Sequence, residues 1–393
     1  MSISKSILDV LERSSWIRKM FEEGIQLKKE FGEKNVFDLS LGNPLLEPPE
    51  KFKKRLIELS QSNERGTHRY MPNQGFQSTR EKVAKSLARE SGITITHEEL
   101  IITTGAAGGL NAVLKSILNP EDEIVVFTPY FVEYLFYIRN HNGIPIIVKT
   151  DEKFIPDLDD LSKKITKKTK GVIINSPNNP TGVLYPQNII ENIGQILKNK
   201  ENQFGTEIYL ISDEPYRKII YDDKKYPFIF PYHERSIIVT SHSKDLGLAG
   251  ERIGYIALSP NDKDKKILYD AIIFSLRTLG HVNASAIMQK AIEEIQEESV
   301  DINIYKKKRD YIYDQLVNIG YECVKPDGAF YLFPKSPIKD DAKFVKILQD
   351  FNVLTVPGRG FGLEGYFRIS YSVDDWALKG SIEGFKKAFK TKQ

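Results

Sequence analysis

A chain of 393 residues, 40% hydrophobic and 28% charged, is long enough for two or three domains and too ordinary in composition for a largely disordered protein. Its 56 Lys and Arg against 53 Asp and Glu leave a net charge of +3, which gives no sign of a polyanion-binding surface. The single cysteine, Cys323, excludes an internal disulfide and predicts a reduced, cytoplasmic protein.

The first 20 residues, MSISKSILDVLERSSWIRKM, are charged every few positions and hold no apolar run of signal-peptide or membrane-spanning length. Residues 1–32 read as an amphipathic helix with Ile17, Met20, Phe21 and Ile25 at three- and four-residue spacing, broken by LGNPLLEPPE (41–50). FQSTREKVAKSLARESG (76–92) and GGLNAVLKSILNP (108–120) read as helices flanking the strand LIITT (100–104). Five apolar strand candidates follow: EIVVFTP (123–129), IPIIVKT (144–150), GVIINSP (171–177), EIYLISD (207–213) and SIIVTSHS (236–243). The run KKITKKTK (163–170) reads as the exposed face of one crossover helix, and PQNIIENIGQILKNK (186–200) as another. Apolar strands alternating with helices predict an α/β fold with a mostly parallel sheet covered by helices on both faces.

From 283 to 318 a long charged helical pattern leads away from that sheet. The short strands AFYLFP (329–334), VLTVPG (353–358) and YFRISYS (366–372) and the helix DWALKGSIEGFKKAFK (375–390) complete a smaller α+β domain. The expected division is residues 46–300 for the large domain, and 1–45 with 301–393 for the small one. His68, His97, His141, His233, His242 and His281 never fall four apart or beside a cysteine pair, so no zinc site is expected.

Ligands of open parallel sheets bind at the carboxyl ends of strands, and the polar residues here gather at such ends. EIVVF is followed by Pro129, Tyr130 and Phe131, and GVIIN by SPNNPTG with Asn179. EIYLIS ends in Asp213 with Tyr216 beyond, and SIIVTSHS runs into Lys244. RIGYIALS (252–259) begins after a short loop and can return antiparallel, which starts Arg252 at the same edge. Taken singly, Lys244 is a solvated lysine, Asp213 a helix cap and Asn179 a turn residue before Pro180. Taken together, an aromatic, an amide, a carboxylate and an amine at successive strand ends suit a planar cationic heterocycle that carries a phosphate.

The motifs NNPTG (178–182), SDEPY (212–216) and SHSKDLGLAGERIGY (241–255), in this order, resemble the fold type I pyridoxal phosphate enzymes. The resemblance is to class I/II aminotransferases similar to the aspartate aminotransferases, and it runs from LSLGNP (39–44) to FRIS (367–370). It implies a homodimeric enzyme that uses pyridoxal 5′-phosphate to move an amino group between an L-amino acid and a 2-oxo acid, 2-oxoglutarate being the expected acceptor, by a ping-pong mechanism. Neither nucleic acid nor membrane is an implied partner, and no metal is implied.

Lys244 would hold the cofactor as a Schiff base and later shuttle the proton at the substrate α-carbon, for which its amine needs a lowered pKa. Asp213 would pair with the ring nitrogen, Asn179 and Tyr216 would bond the ring oxygen, and Phe131 would cover the ring face. In TTGAAGGL (103–110), Gly105, Ala106 and Ala107 open a helix whose amides suit the phosphate, with Ser241 and Arg252 completing the cradle. Tyr70 in HRYMPNQG would reach the phosphate from the partner subunit. Arg368 would bind the substrate α-carboxylate as a planar fork, and Gly42 and Asn43 would lie in the loop over the substrate beside Asn179.

GFGLEG (Gly360–Gly365) fits a dinucleotide fingerprint in letters but lies between two strand patterns with no helix after it, so it is set aside. Carbon–sulfur lyases share the motifs, and release of pyruvate and ammonia without an acceptor would distinguish them. A transcription regulator built on the same fold is the remaining alternative, disfavoured because only about forty residues precede LGNP and no basic recognition helix is evident. The phosphate loop offers no lysine to a second substrate carboxylate, and Arg277 and His281 are the nearest candidates for a contact across a dimer. Broad use of uncharged amino donors is therefore expected.

Overall fold

The computed structural model describes residues 3–4, 7–8 and 16–391, with the side chains of residues 16–22 outside the description. The helix expected over residues 1–32 is described from Trp16 to Phe31. Ile25, expected on its apolar face, is instead exposed, and Gly24 is the buried residue of that turn. The strands are β1 (Phe37–Asp38), β2 (Leu100–Thr103), β3 (Glu123–Phe127), β4 (Ile144–Val148), β5 (Thr169–Asn175) and β6 (Tyr209–Asp213). They continue with β7 (Ser236–Ser241), β8 (Gly254–Leu258), β9 (Tyr331–Leu332), β10 (Val353–Leu354), β11 (Val356–Pro357) and β12 (Phe367–Ser370).

Seven strands form one sheet in the order β2-β8-β7-β6-β5-β3-β4. All its pairings are parallel except those of β8, which returns against β7 and β2 and sets Gly254 opposite Ser241. β4 lies at one edge, where Pro145 needs no ladder partner for a missing N–H and Ile144 is exposed. Interior strands alternate their side chains between two apolar layers. Val125 and Phe127 of β3 join one core, with Leu87, Ile190 and Leu197 of helices Gln77–Ser91 and Gln187–Phe204. Ile124 and Val126 join the other, with Val113, Ile272 and Leu276 of helices Gly105–Ile117 and Lys265–Thr278.

Two expected helices end earlier than their charge patterns imply. Only Lys163 and Lys164 of KKITKKTK lie on the short helix Leu158–Lys164; Lys167 and Lys168 sit exposed in the turn, and Lys170 is already in β5. The stretch from 283 to 318 divides into Ala286–Ile292 and Ile302–Ile319. The break is fixed by Asp301, whose side chain caps the second helix at the Asn303 amide, and by the Val300 amide, which donates to the Asp245 carbonyl.

The C-terminal elements pack around a third core containing Leu39, Tyr305, Leu316, Phe330, Phe344, Phe367 and Phe385. There β12 pairs antiparallel with both β9 and β11, and β1 pairs parallel with β10, so residues near the N-terminus are built into the C-terminal unit. The segment GFGLEG enters β12 rather than a helix, and its turn, Gly358–Phe361, lies on the loop after β3. The Tyr130 amide donates to the Phe361 carbonyl at 3.0 Å and the Thr128 hydroxyl to the Gly362 carbonyl at 3.0 Å. Among the described residues no helix is long and apolar enough to cross a membrane.

Candidate active site

The carboxyl ends of β3, β5, β6 and β7 open on a cavity of about 320 Å³ lined by Phe131, Asn179, Asp213 and Lys244. The four strand ends thus meet as their polar residues suggest. β6 delivers Asp213 as its last residue, deep under the sheet edge and 5% exposed. Tyr134 donates a hydrogen bond to Asp213 Oδ2, and Asn175 Nδ2 holds the Asp213 carbonyl at 2.9 Å. Asp213 Oδ1 is buried with no protein partner. Burial pushes this carboxyl up to about 7, against the pull of the Tyr134 hydrogen bond.

Lys244 follows β7, and its Nζ donates to the Gly42 carbonyl at 2.7 Å. Burial, then the Arg368 and Arg252 guanidinium groups, lowers its amine to about 8, so a minority neutral form is present near physiological pH, far more than for an ordinary lysine. The flanking residues anchor the loop. His242 Nδ1 lies 3.1 Å from Asp245 Oδ2, and the Asp245 carbonyl accepts from Val300 and Ser299, so His242 braces the lysine rather than facing the cavity.

At the far side of β7, Ser241 lines the cavity opposite the start of helix Gly105–Ile117, which contributes Ala106 and Ala107. Gly105 has φ +83°, and a Cβ there would meet Arg252 Nη2 at 2.8 Å, so the guanidinium lies directly against the helix start. Backbone amides, a hydroxyl and a guanidinium converge as an anion site requires. With the unpaired Asp213 oxygen and the Lys244 amine, this donor set fits a planar, phosphate-bearing heterocycle with a protonated ring nitrogen.

The opposite wall comes from the C-terminal unit. Arg368 on β12 is buried between the rings of Tyr331 and Phe361, its guanidinium carbon 4.7 and 4.8 Å from their centroids. Its Nη1 donates to Asn179 Oδ1 at 3.0 Å and its Nη2 to the Ser40 carbonyl at 2.6 Å. Tyr216 and Tyr331 share a hydroxyl–hydroxyl hydrogen bond of 2.8 Å. Gly42 packs so closely that a Cβ would stand 2.1 Å from Tyr331 Oη.

Three expected residues do not line this cavity: Gly105 is buried behind Ala106 and Ala107, and Asn43 and Tyr70 lie outside it. Asn43 is exposed, and its carbonyl accepts from Ser372 at 2.6 Å. Tyr70 is 94% exposed in a separate groove beside His68, Met71 and His281. Of the two candidates for a contact across a dimer, His281 Nδ1 sits 3.2 Å from Thr104 Oγ1 at the phosphate-type loop, and Arg277 lies over Phe274 of its own helix. Tyr134, Tyr137, Ser243 and Tyr331 line the cavity without having been singled out from sequence. The signal for Tyr134 was its place three residues after Phe131; Tyr331 was masked by AFYLFP, which reads as core.

The family model for aminotransferase class I and II matches residues 34–383. The chain is 32% identical to the aspartate/prephenate aminotransferase of Thermus thermophilus over 361 residues, covering 89% of this chain and 90% of that one. It is 31% identical to the aspartate aminotransferase of Pyrococcus horikoshii over 397 residues, 96% of this chain and 95% of the other. In structure it resembles an amino transferase of Eubacterium rectale with a TM-score of 0.96 and 37% identity, covering 100% and 99% of the two chains. The aspartate aminotransferase of Thermotoga maritima follows at a TM-score of 0.87 and 27% identity, covering 98% and 99%.

Proposed function

We propose, from the premise that this chain belongs to the aminotransferase class I and II family, that Lys244 attaches pyridoxal 5′-phosphate and moves the proton at the substrate α-carbon. The protein is a transaminase. The observation that carries the cofactor reading is the Lys244 amine, lowered to about 8 and opening on the same cavity as the unpaired Asp213 oxygen and Arg368. When bound, pyridoxal phosphate supplies an electron sink for charge developing at the substrate α-carbon. Asp213 keeps the ring nitrogen protonated, Asn179 and Tyr216 bond the ring oxygen, and Phe131 covers one face. The amides of Gly105, Ala106 and Ala107, with Ser241 and Arg252, hold the phosphate.

Arg368 receives the α-carboxylate, exchanging its bonds to Asn179 and the Ser40 carbonyl for a bidentate pair. Gly42 presents its carbonyl to the Lys244 amine and so keeps the proton carrier aimed across the cavity, with Asn43 at the rim. The amino group leaves one amino acid and joins a 2-oxo acid, 2-oxoglutarate among them, in two half-reactions at the same lysine. The exposed Tyr70 supports a homodimer in which each copy lends this tyrosine to the other's phosphate site. We read residues 46–300 as the cofactor unit and 1–45 with 301–393 as the smaller unit. The lone Cys323 supports work in the reducing cytoplasm.

The relatives are named for aspartate, yet among the described residues the only cations lining this cavity are Lys244, Arg252 and Arg368, each already assigned. A half-reaction screen across the amino acids, following the cofactor's absorbance, tests the reading. Alanine within about a thousandfold of aspartate is expected, since a buried, unpaired second carboxylate costs several kcal/mol. A larger preference for aspartate would overturn the broad-donor reading and require a further basic residue at the substrate's distal end. Borohydride reduction should fix the cofactor on Lys244, and an adduct on any other lysine would falsify the assignment.

A further inference from the structure

Helix Glu133–Asn140 starts two residues after Phe131, and three-residue spacing turns Tyr134 and Tyr137 together toward the cavity. The two differ in what their hydroxyls do. Tyr134 is buried, with its ring edge-on to Phe131 at 5.6 Å and 84°, and its hydroxyl donates to Asp213 Oδ2. Tyr137 has no such bond to the carboxylate, although it borders the same space.

We propose that Tyr134 is a positioning residue for the cofactor: its hydroxyl favours the ionised form of Asp213 and fixes Oδ2, so that the unpaired Oδ1 is left for the ring nitrogen. A buried carboxylate is destabilised in its charged form, and a hydrogen bond to that form offsets the penalty. Tyr134 can act only as a donor here. Burial, then the Asp213 charge, raises its phenol well above the usual tyrosine range, so no competing phenolate arises. The same residue packs the ring of Phe131, so a single side chain sets both the charge below the heterocycle and the aromatic over its face. No other protein side chain donates to the Asp213 carboxylate among the described residues.

The inference rests on the reading of Asp213 as the ring-nitrogen partner, and its test separates the two. Apoprotein is titrated with pyridoxal phosphate labelled with ¹⁵N in the ring, giving both affinity and the ring-nitrogen resonance. Tyr134→Phe keeps the ring contact and removes only the hydroxyl. It should weaken binding about tenfold, the worth of one hydrogen bond to a charged group, and move the resonance toward the unprotonated form. In the Asp213→Asn background the same change should have no further effect on either readout. Binding within twofold of wild type with an unmoved resonance would overturn the role of Tyr134, as would an equal loss in both backgrounds, which marks a packing effect. Wild-type protein that binds no pyridoxal phosphate would overturn the cofactor reading and this role with it.

Discussion

The two ends of the cavity are built by opposite means. At the sheet end, Asp213, Ser241 and Lys244 stand on or just beyond strands whose register is locked by paired neighbours on both sides, parallel for β6 and parallel and antiparallel for β7. At the far end, Arg368 and Tyr331 stand on short strands of four and two residues, and the guanidinium is held by the rings of Tyr331 and Phe361 and by a carbonyl of Ser40. Ladder hydrogen bonds define the first end, while packing between distant segments defines the second. Asp213 and Lys244 are shifted chiefly by burial, whereas the seat of Arg368 depends as well on the shapes of the rings around it.

The largest effect should come from the sheet end. Lys244→Ala should lower single-turnover rate about 10⁴-fold or more, the upper range for a lost proton carrier, while pyridoxal phosphate still binds without being fixed by borohydride. Turnover at the wild-type rate would break the assignment. Arg368→Ala tests whether the ends are separable. A fall in kcat/KM of about 10² to 10³ is expected, with cofactor affinity within a few-fold of wild type. Arg368→Lys should recover little, because an ammonium lacks the planar fork and stacks poorly between two rings.

Asp213→Asn sharpens the contrast, since a group tuned by burial carries a cost in stability. Its folded carboxyl lies near 7 against an ordinary 3.8. Between those values the folded apoprotein keeps a proton the unfolded chain has lost, so stability falls as pH rises through the window, and above about 7 the full penalty is present. The variant should therefore melt several degrees higher at pH 8, by a few kcal/mol at most, while binding pyridoxal phosphate more weakly. An unchanged melt of the apoprotein would show that water reaches the carboxylate. Gly42→Ala probes the packed end most gently. Its methyl group must push Tyr331 aside, costing about 1 to 3 kcal/mol, and Tyr331→Phe in the same chain should restore part of the lost kcat/KM.

This contrast also decides what the sequence could disclose. Apolar strands that end at Asp213 or a few residues before Asn179 and Lys244 follow from apolar runs and turn residues alone, and the return of β8 follows from the short loop before Arg252. Roles for Arg368 and Gly42 required resemblance, because nothing in YFRISYS distinguishes a buried strand arginine from an exposed one. Tyr331 contacts Gly42 across more than half the chain, and no local pattern encodes such a pairing. Tyr70 and Asn43 stand apart from the cavity of a single chain, so their assigned roles depend on a second copy or on movement at the rim. The break after residue 292 was hidden by continuous charge, since an N-cap aspartate looks like any other acidic residue in a charged run.

The stitching of the Gly358–Phe361 turn to the loop after β3 has a mechanical meaning. Phe131 and Phe361 each adjoin or take part in the bond from the Tyr130 amide to the Phe361 carbonyl, and the Thr128–Gly362 bond lies beside it. Because the Phe361 ring also packs on the Arg368 guanidinium, this seam ties the two walls of the cavity together, so that the Phe131 loop and the Arg368 strand share one support. A second tie comes from the Ser40–Gly42 segment, whose carbonyls accept from Arg368 and Lys244, so one short stretch of chain near the N-terminus couples a cation of each wall.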